Sequence, residues 1–422
     1  MREKFFKRIS LAAISGIAIA ALVGCTGPAG ADPDAPVTLE LWEFINPDGD
    51  DPRGMDLKAN IDSFEAAHQN VTVEVNVLPW ANIDPQLMQA ANAGNSPDVV
   101  RVLSWDLPKH VAAGNLTPLD DYLSEEDKED WLLGWDSLTT DGQKWAIPFE
   151  YRSPALYYRT DFTGETPPAD WDAMIDSADK DGARPGVVVG MSNGAQAAAL
   201  AEVFVSYLWA NGAEVFNEDG TAAFNSKEGI ETFELLGSLV GDGIAPSETV
   251  SYTYEEVFQS ITAGAADYWL LGSHRHATAV ATAELQGKLK LAPLPGVDGD
   301  VAPAHVFGWT LGIGKDSQHP ELAAELIAHM TSAESQLSRV QATGELPTRA
   351  SVYEDEWFKS PDAEAASMLA AWFEESGRTL NYGEHYVELS QLWAQALQKM
   401  ALEGASAKDV ANEAAEAYDD LL

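Results

Sequence analysis

The chain has 422 residues, with 25 Lys and Arg against 67 Asp and Glu, and a formal charge of −42 at pH 7. So acidic a surface repels nucleic acid and anionic membrane, which excludes the nucleic-acid readers. A hydrophobic fraction of 45% belongs to a globular chain, and the length suits two domains better than a single core.

The chain begins MREKFFKRISLAAISGIAIAALVGC. Arg2, Lys4, Lys7 and Arg8 form a basic start, followed by an apolar run over residues 9–23. That run is shorter than the roughly 20 residues a membrane span needs, so residues 1–24 are expected to be a signal peptide. Leu22, Val23, Gly24 and Cys25 resemble a bacterial lipobox, whose cysteine takes a diacylglycerol and becomes the mature N-terminus. Two acyl chains anchor firmly, since each buried CH₂ contributes about 0.8 kcal/mol. Cys25 is the one cysteine in the sequence, so no disulfide can form and the core must hold the fold. The stretch TGPAGADPDAP offers nothing large to bury, and residues 25–36 are read as the lipidated cysteine and a flexible tether. The expected location is extracytoplasmic, anchored to the cell membrane as a lipoprotein.

Strands and helices then alternate. In VTLELWEF (37–44), Val37, Leu39 and Leu41 share one face while Thr38 and Glu40 share the other. Leu57, Ile61 and Phe64 fall at helical spacing, and VTVEVNV (71–77) alternates again. A helix over about 84–93 leads to PDVVRVL, a third strand. This order predicts an α/β fold of two lobes, each a mostly parallel sheet flanked by helices, with crevices at the carboxyl ends of the strands. Trp131 and Trp135, four apart, are expected on a core helix. Pro320 sits in the first turn of PELAAELIAHM, a favoured place for proline. The C-terminal hundred residues read as mostly helix, with Leu389, Trp393, Leu397 and Met400 on one stripe.

Eight segments in order carry a family resemblance: LELWEF, IDSFEAAHQNVTVEVNVLPW, AGNSPDVVRV, VAAGNLTPLDDYL, GQKWAIPFEYRSPALYYRTDF, APLPGVDGD, GWTLGIGKDSQHPELAAELIAHMTSAESQ and GELPTRASVY. Behind a lipobox, this order resembles the extracellular solute-binding proteins of ABC importers, in the sugar-binding cluster typified by maltose-binding protein. The resemblance implies a two-lobed periplasmic-binding-protein fold of type II-like architecture, with hinge crossovers near 149–153, 293 and 316–319. Lobe one would comprise 37–149 plus 293–317, and lobe two 150–292 plus 318–422. It further implies a monomer that captures a carbohydrate, a di- or oligosaccharide, by hinge closure and hands it to an ABC permease with its cytoplasmic ATPase. No catalysis and no cofactor are implied. The sequence departs from the pattern at AADYWLLGSHRHA, where Gly272, Ser273 and His274 replace a Gly-Pro-Trp-like turn.

A pyranose has an apolar C–H face and a rim of hydroxyls, so aromatic faces and hydrogen-bonding side chains are its natural partners. Trp42 and Phe44 end the first strand, with Asn46 and Asp48 in the next loop; Trp42 could equally be a core residue. Asn46, Asp48 and Asp50 mimic a calcium loop, but Asp51 stands where glycine is needed and Leu57 where the bidentate glutamate belongs. Trp80 follows the second strand. Trp105 and Asp106 follow the third, as a stacking platform and a bidentate acceptor. Glu150, Tyr151 and Arg152 lie in the first crossover, where Arg152 could instead serve a hinge ion pair. His274 and Arg275 could serve the sugar rim or begin a helix in solvent. With His276 they lack the third ligand that zinc requires. Trp309 offers another ring, and Arg349 either reaches the cleft edge or makes an interlobe ion pair. The competing readings are a surface-anchored glycosidase and a solute-binding protein for a peptide, a metal or glycerol phosphate. The sequence has no G-x-S-x-G, P-loop or H-E-x-x-H motif.

Overall fold

The computed structural model describes residues 35–124, 129–133, 136–179, 182–194 and 196–422. The signal-peptide and Cys25 readings, and Trp135, lie outside the described residues. Val37–Leu422 forms one compact unit.

Strand β1 (Val37–Glu43) runs parallel to β2 (Val71–Val77), with Val37 opposite Val71 and Glu43 opposite Val77. On its other side β1 runs parallel to β3 (Val99–Leu103). Leu39 and Leu41 are fully buried, as their alternation predicts. Helix α1 (Pro52–Ala67) buries Leu57, Ile61 and Phe64. Its cap is Asp51, whose carboxylate accepts from the backbone N–H of Arg53 at 3.0 Å and of Gly54 at 3.2 Å. The residue that spoils the calcium-loop pattern therefore starts the helix and sets Arg53 in its first turn. Helix α2 (Trp80–Ala93) begins four residues before the expected start and stops at Gly94, which takes the left-handed conformation at φ 74°.

The strand Trp309–Gly314 returns from far along the chain and lies antiparallel to β3. Leu116–Thr117 and Ile147–Pro148 pair with it in turn. In the second sheet, Pro154–Arg159 sits between Leu289–Ala292 and Tyr268–Gly272, antiparallel to both, and Val187–Val188 joins the latter in parallel. The sheets are thus mixed where mostly parallel ones were expected. Each strand that leaves the hinge runs away from it, against neighbours that run toward it.

The hinge brings three crossing segments side by side. Arg152 and Phe307 exchange backbone hydrogen bonds of 2.8 and 3.0 Å, and the Tyr151 N–H donates to Leu346 O at 3.0 Å. Gly308 permits this approach, because a Cβ there would collide with the Glu150 carbonyl. The first crossing lies within the expected 149–153, the second lies at Phe307 and not near 293, and the third is Glu345–Thr348 and not 316–319. Asp316 is held on the first-sheet side, accepting from the Ser96 N–H at 3.1 Å and the Ser96 hydroxyl at 2.9 Å. Helices Pro320–Met330 and Ala333–Thr343 pack against α1. The Ser338 hydroxyl, for instance, donates to Asp56 at 3.3 Å. Residues 318–343 therefore belong with the first sheet, and the division expected at 318 falls later in the chain.

Helices Tyr386–Glu403 and Ala407–Asp419 pack beside Ala197–Ala210 and Lys227–Gly241 on the second-sheet side. Leu389, Trp393 and Leu397 are buried along one stripe, with Met400 at its margin. Trp131 is buried as expected, but in irregular chain. Among the described residues no helix is long and apolar enough to cross a membrane.

Candidate functional site

A hollow with about 460 Å³ of empty space, the open solvent at its mouth included, lies at the hinge. One wall comes from the first-sheet side: Phe44 just past β1, Trp80 opening α2, Leu103 and Trp105 at the end of β3, and Trp309. The opposite wall carries Ala199 and Glu202 from Ala197–Ala210, Tyr254 from the first turn of Tyr254–Ala263, and His274 and Arg275 just past Tyr268–Gly272. Arg152 and Phe307 form the hinge floor, and Arg53 stands at the margin.

The first wall is a set of rings fixed from behind. Phe44 and Trp309 lie 4.8 Å apart between centroids, and Trp105 and Phe307 lie 5.1 Å apart. Arg101, fully buried, places its guanidinium 4.6 Å from the Phe44 ring and 4.4 Å from the Phe149 ring. It donates from Nη1 to both oxygens of Glu43 at 3.0 Å, and Glu43 Oε1 also accepts from the Phe44 N–H at 2.7 Å. A buried charge needs such a partner. The pair ties the end of β1 to β3 and so sets where the Phe44 ring points.

The second wall is polar. Arg152 donates to Glu150 from Nη2 and to His274 Nε2 from Nη1 at 3.0 Å. Since a guanidinium can only donate, Nε2 accepts, and the imidazole proton sits on Nδ1, 3.5 Å from the Tyr254 hydroxyl. Burial, with Arg152 and Arg275 nearby, holds the His274 pKa well below the usual histidine range, so the ring is neutral. Arg275 donates to Glu255 and lies 4.6 Å from the Phe258 ring. Glu202 is 1% exposed and its Oε2 has no hydrogen-bond partner. Burial pushes its carboxyl well above the usual range, opposed only by Arg152, which favours the neutral acid over the carboxylate.

Half of the residues anticipated from sequence line this cavity: Phe44, Trp80, Trp105, Arg152, His274, Arg275 and Trp309. The others do not. Trp42 is buried outside this cavity, its indole N–H donating to Glu40 at 2.7 Å. Asn46 and Asp48 form an exposed turn in which Asn46 accepts from the Asp48 N–H. Asp106 faces Asp84 and Lys109, and burial beside the Asp84 charge raises its pKa to about 6. Glu150 is buried behind the floor, where it fixes Arg152. Tyr151 is buried in the hinge ladder. Arg349 donates to Thr331 O at 2.7 Å and pairs with Asp130 at 3.7 Å, the ion-pair alternative. His276 faces a different hollow. Among the described residues no three His, Cys, Asp or Glu converge as metal ligands.

Sequence reasoning missed Arg53, Leu103, Ala199, Glu202, Tyr254 and Phe307. Only Glu202 left a signal, as the one acidic residue in the mostly apolar helix AAALAEVFVSYLWA.

The two-sheet fold agrees with comparison to known proteins. The model for bacterial extracellular solute-binding proteins matches residues 59–366, and the chain belongs to that family. A binding protein of Brucella abortus is 29% identical over 202 residues, 46% of this chain and 49% of that one. The chain thus spans about half the length of the first curated relatives it matches. Among solved structures, maltose-bound MalE3 of T. maritima has a TM-score of 0.78 at 23% identity, covering 92% of this chain and 100% of that one. The GacH receptor of Streptomyces glaucescens, solved without ligand and with acarbose, has a TM-score of 0.78 at 20% identity, covering 92% and 98%. These likenesses define the fold.

Proposed function

We propose that the protein is the substrate-binding lipoprotein of an ABC importer. In this reading it captures a carbohydrate, a di- or oligosaccharide, between two lobes and delivers it to the permease. Lobe one takes residues 37–148, 309–343 and the segments packed with them, and lobe two takes the second sheet and the C-terminal helices. Cys25 carries the lipid, and residues 26–36 are the tether. The observation that carries the reading is a cavity with rings on one wall and hydrogen-bonding groups on the other, placed where three chain crossings allow the walls to move. A sugar stacked on one wall and bonded to the other stabilises the closed state by touching both. The structures with maltose and with acarbose share this fold, which favours a saccharide over a peptide.

The site suits binding better than hydrolysis. Glycoside hydrolysis ordinarily needs two carboxyl groups flanking the bond, and among the described residues Glu202 is the one carboxyl lining the cavity. The test is a thermal-shift screen of the full-length protein against di- and oligosaccharides. Ligand at 100 times its Kd should stabilise the native state by about 2.7 kcal/mol. A shift with the sugar recovered intact is the expected result. Recovery of cleaved sugar would make the protein an enzyme, and no shift with any sugar would overturn the carbohydrate reading.

A further inference from the structure

We propose that the cavity is built for an acidic saccharide, a sugar bearing a carboxylate such as a uronic acid; this rests on the carbohydrate reading above. The body between Val37 and Leu422 has nine arginines in a chain of charge −42, and three of them, Arg53, Arg152 and Arg275, line this one cavity. Two more, Arg101 and Arg339, stand directly behind it among the buried groups of the hinge.

The hydrogen-bonding inventory points the same way. A neutral sugar rim is rich in O–H donors and calls for carboxylate acceptors. Here each nearby carboxylate is already paired with an arginine, Glu345 with Arg53 at 2.6 Å, Glu150 with Arg152, and Glu255 with Arg275, and the one unpartnered oxygen among them that is buried, Glu150 Oε2, lies behind the floor. The acceptor nitrogen of His274 is taken by Arg152. What remains is mostly donors. The Nη atoms of Arg53 and the Nη1 of Arg275 make no hydrogen bond among the described residues, and the Nε atoms of Arg152 and Arg275 are buried without a partner. Glu202 has its Oε2 buried without a partner, and burial favours its neutral form, which offers an O–H instead of a second negative charge. An ionised carboxylate there would repel an anionic ligand, whereas a protonated one can donate to it. A carboxylate with its lone-pair sites matches such a donor set, and guanidinium–carboxylate bonds are about twice as strong as neutral ones. The ring of the sugar would lie on the Trp80 and Trp309 side.

The outer surface opposes this ligand at long range. At 0.15 M salt the screening length is about 8 Å, so the repulsion slows approach without weakening contacts inside the cavity. Association of an acidic sugar should therefore speed up with added salt, the reverse of electrostatic attraction.

The experiment is calorimetric titration of the full-length protein with uronic-acid di- and trisaccharides, each paired with the neutral sugar of the same linkage. The expected result is at least tenfold tighter binding of one acidic sugar than of its neutral counterpart, a preference that Arg275→Gln reduces severalfold while the circular dichroism spectrum is kept. Equal or tighter binding of the neutral member would overturn the acidic-ligand inference and leave the carbohydrate reading standing. Binding of neither class would overturn both. A preference unchanged in Arg275→Gln and in Arg53→Gln would also overturn it, since the donors named here would then play no part.

Discussion

The two walls of the cavity are made by different means. On the first-sheet side, rings at strand ends are held by a fully buried ion pair, Arg101 with Glu43, and by stacking within the wall. On the second-sheet side, Tyr254, His274 and Arg275 sit in single turns just past a strand or at a helix start, and Arg152 of the hinge holds His274. The difference teaches that one wall supplies a rigid apolar platform and the other a set of positioned donors. Neither alone would define a saccharide site, and the hinge is what brings them together.

The comparison can be broken first at the platform. Arg101→Met leaves Glu43 buried without its partner and should cost about 3–5 kcal/mol in urea denaturation. An unchanged midpoint would show that the ion pair does not support the platform. Next, Asp106 tests the limit of that wall, since it lies at the end of β3 yet faces away from the cavity. Its folded pKa of about 6 exceeds the roughly 3.9 of an unfolded aspartate, so its contribution is full below pH 4 and is lost as pH rises through 6. Asp106→Asn should therefore gain on the parent by about 2 kcal/mol between pH 4 and 7, with sugar affinity unaltered. Denaturation at both pH values, with titration of ligand, checks both halves.

The platform's binding role is best read at Trp80, because Trp105 and Trp309 are so buried that truncation would also damage the fold. Trp80→Ala should weaken saccharide binding about threefold to tenfold, as lost stacking implies, with little change in stability. On the polar wall, Tyr254→Phe removes one hydroxyl, and the loss should be about threefold. If Tyr254→Phe cost more than Trp80→Ala, the assignment of platform and donor roles would be reversed.

The strands of the first sheet were legible because alternation of Val and Leu is a local pattern, and β2 falls on Val71–Val77 as read. Strand ends pointed to Phe44, Trp80 and Trp105 for the same reason. The strand-end rule gives a position along the chain but not a direction. Trp42 and Asp106 satisfy the rule and lie outside the cavity, Trp42 with its indole held by Glu40 and Asp106 at the turn into helix α3 (Leu107–Ala112). The third crossing was misplaced because Asp316 is held by Ser96, a partner 220 residues away that no local pattern reveals. Arg53, Tyr254 and Phe307 reach the cavity through tertiary packing, and nothing in their neighbours marks them.

The central claim is that ligand closes the two walls on each other. Spin labels at Met55→Cys, exposed on α1, and Leu402→Cys, exposed near the end of Tyr386–Glu403, would report on the two sides, with Cys25→Ser removing the native thiol. The distance distribution should shift and narrow when a saccharide that stabilises the protein is added. The same distribution with and without a bound saccharide would contradict the account.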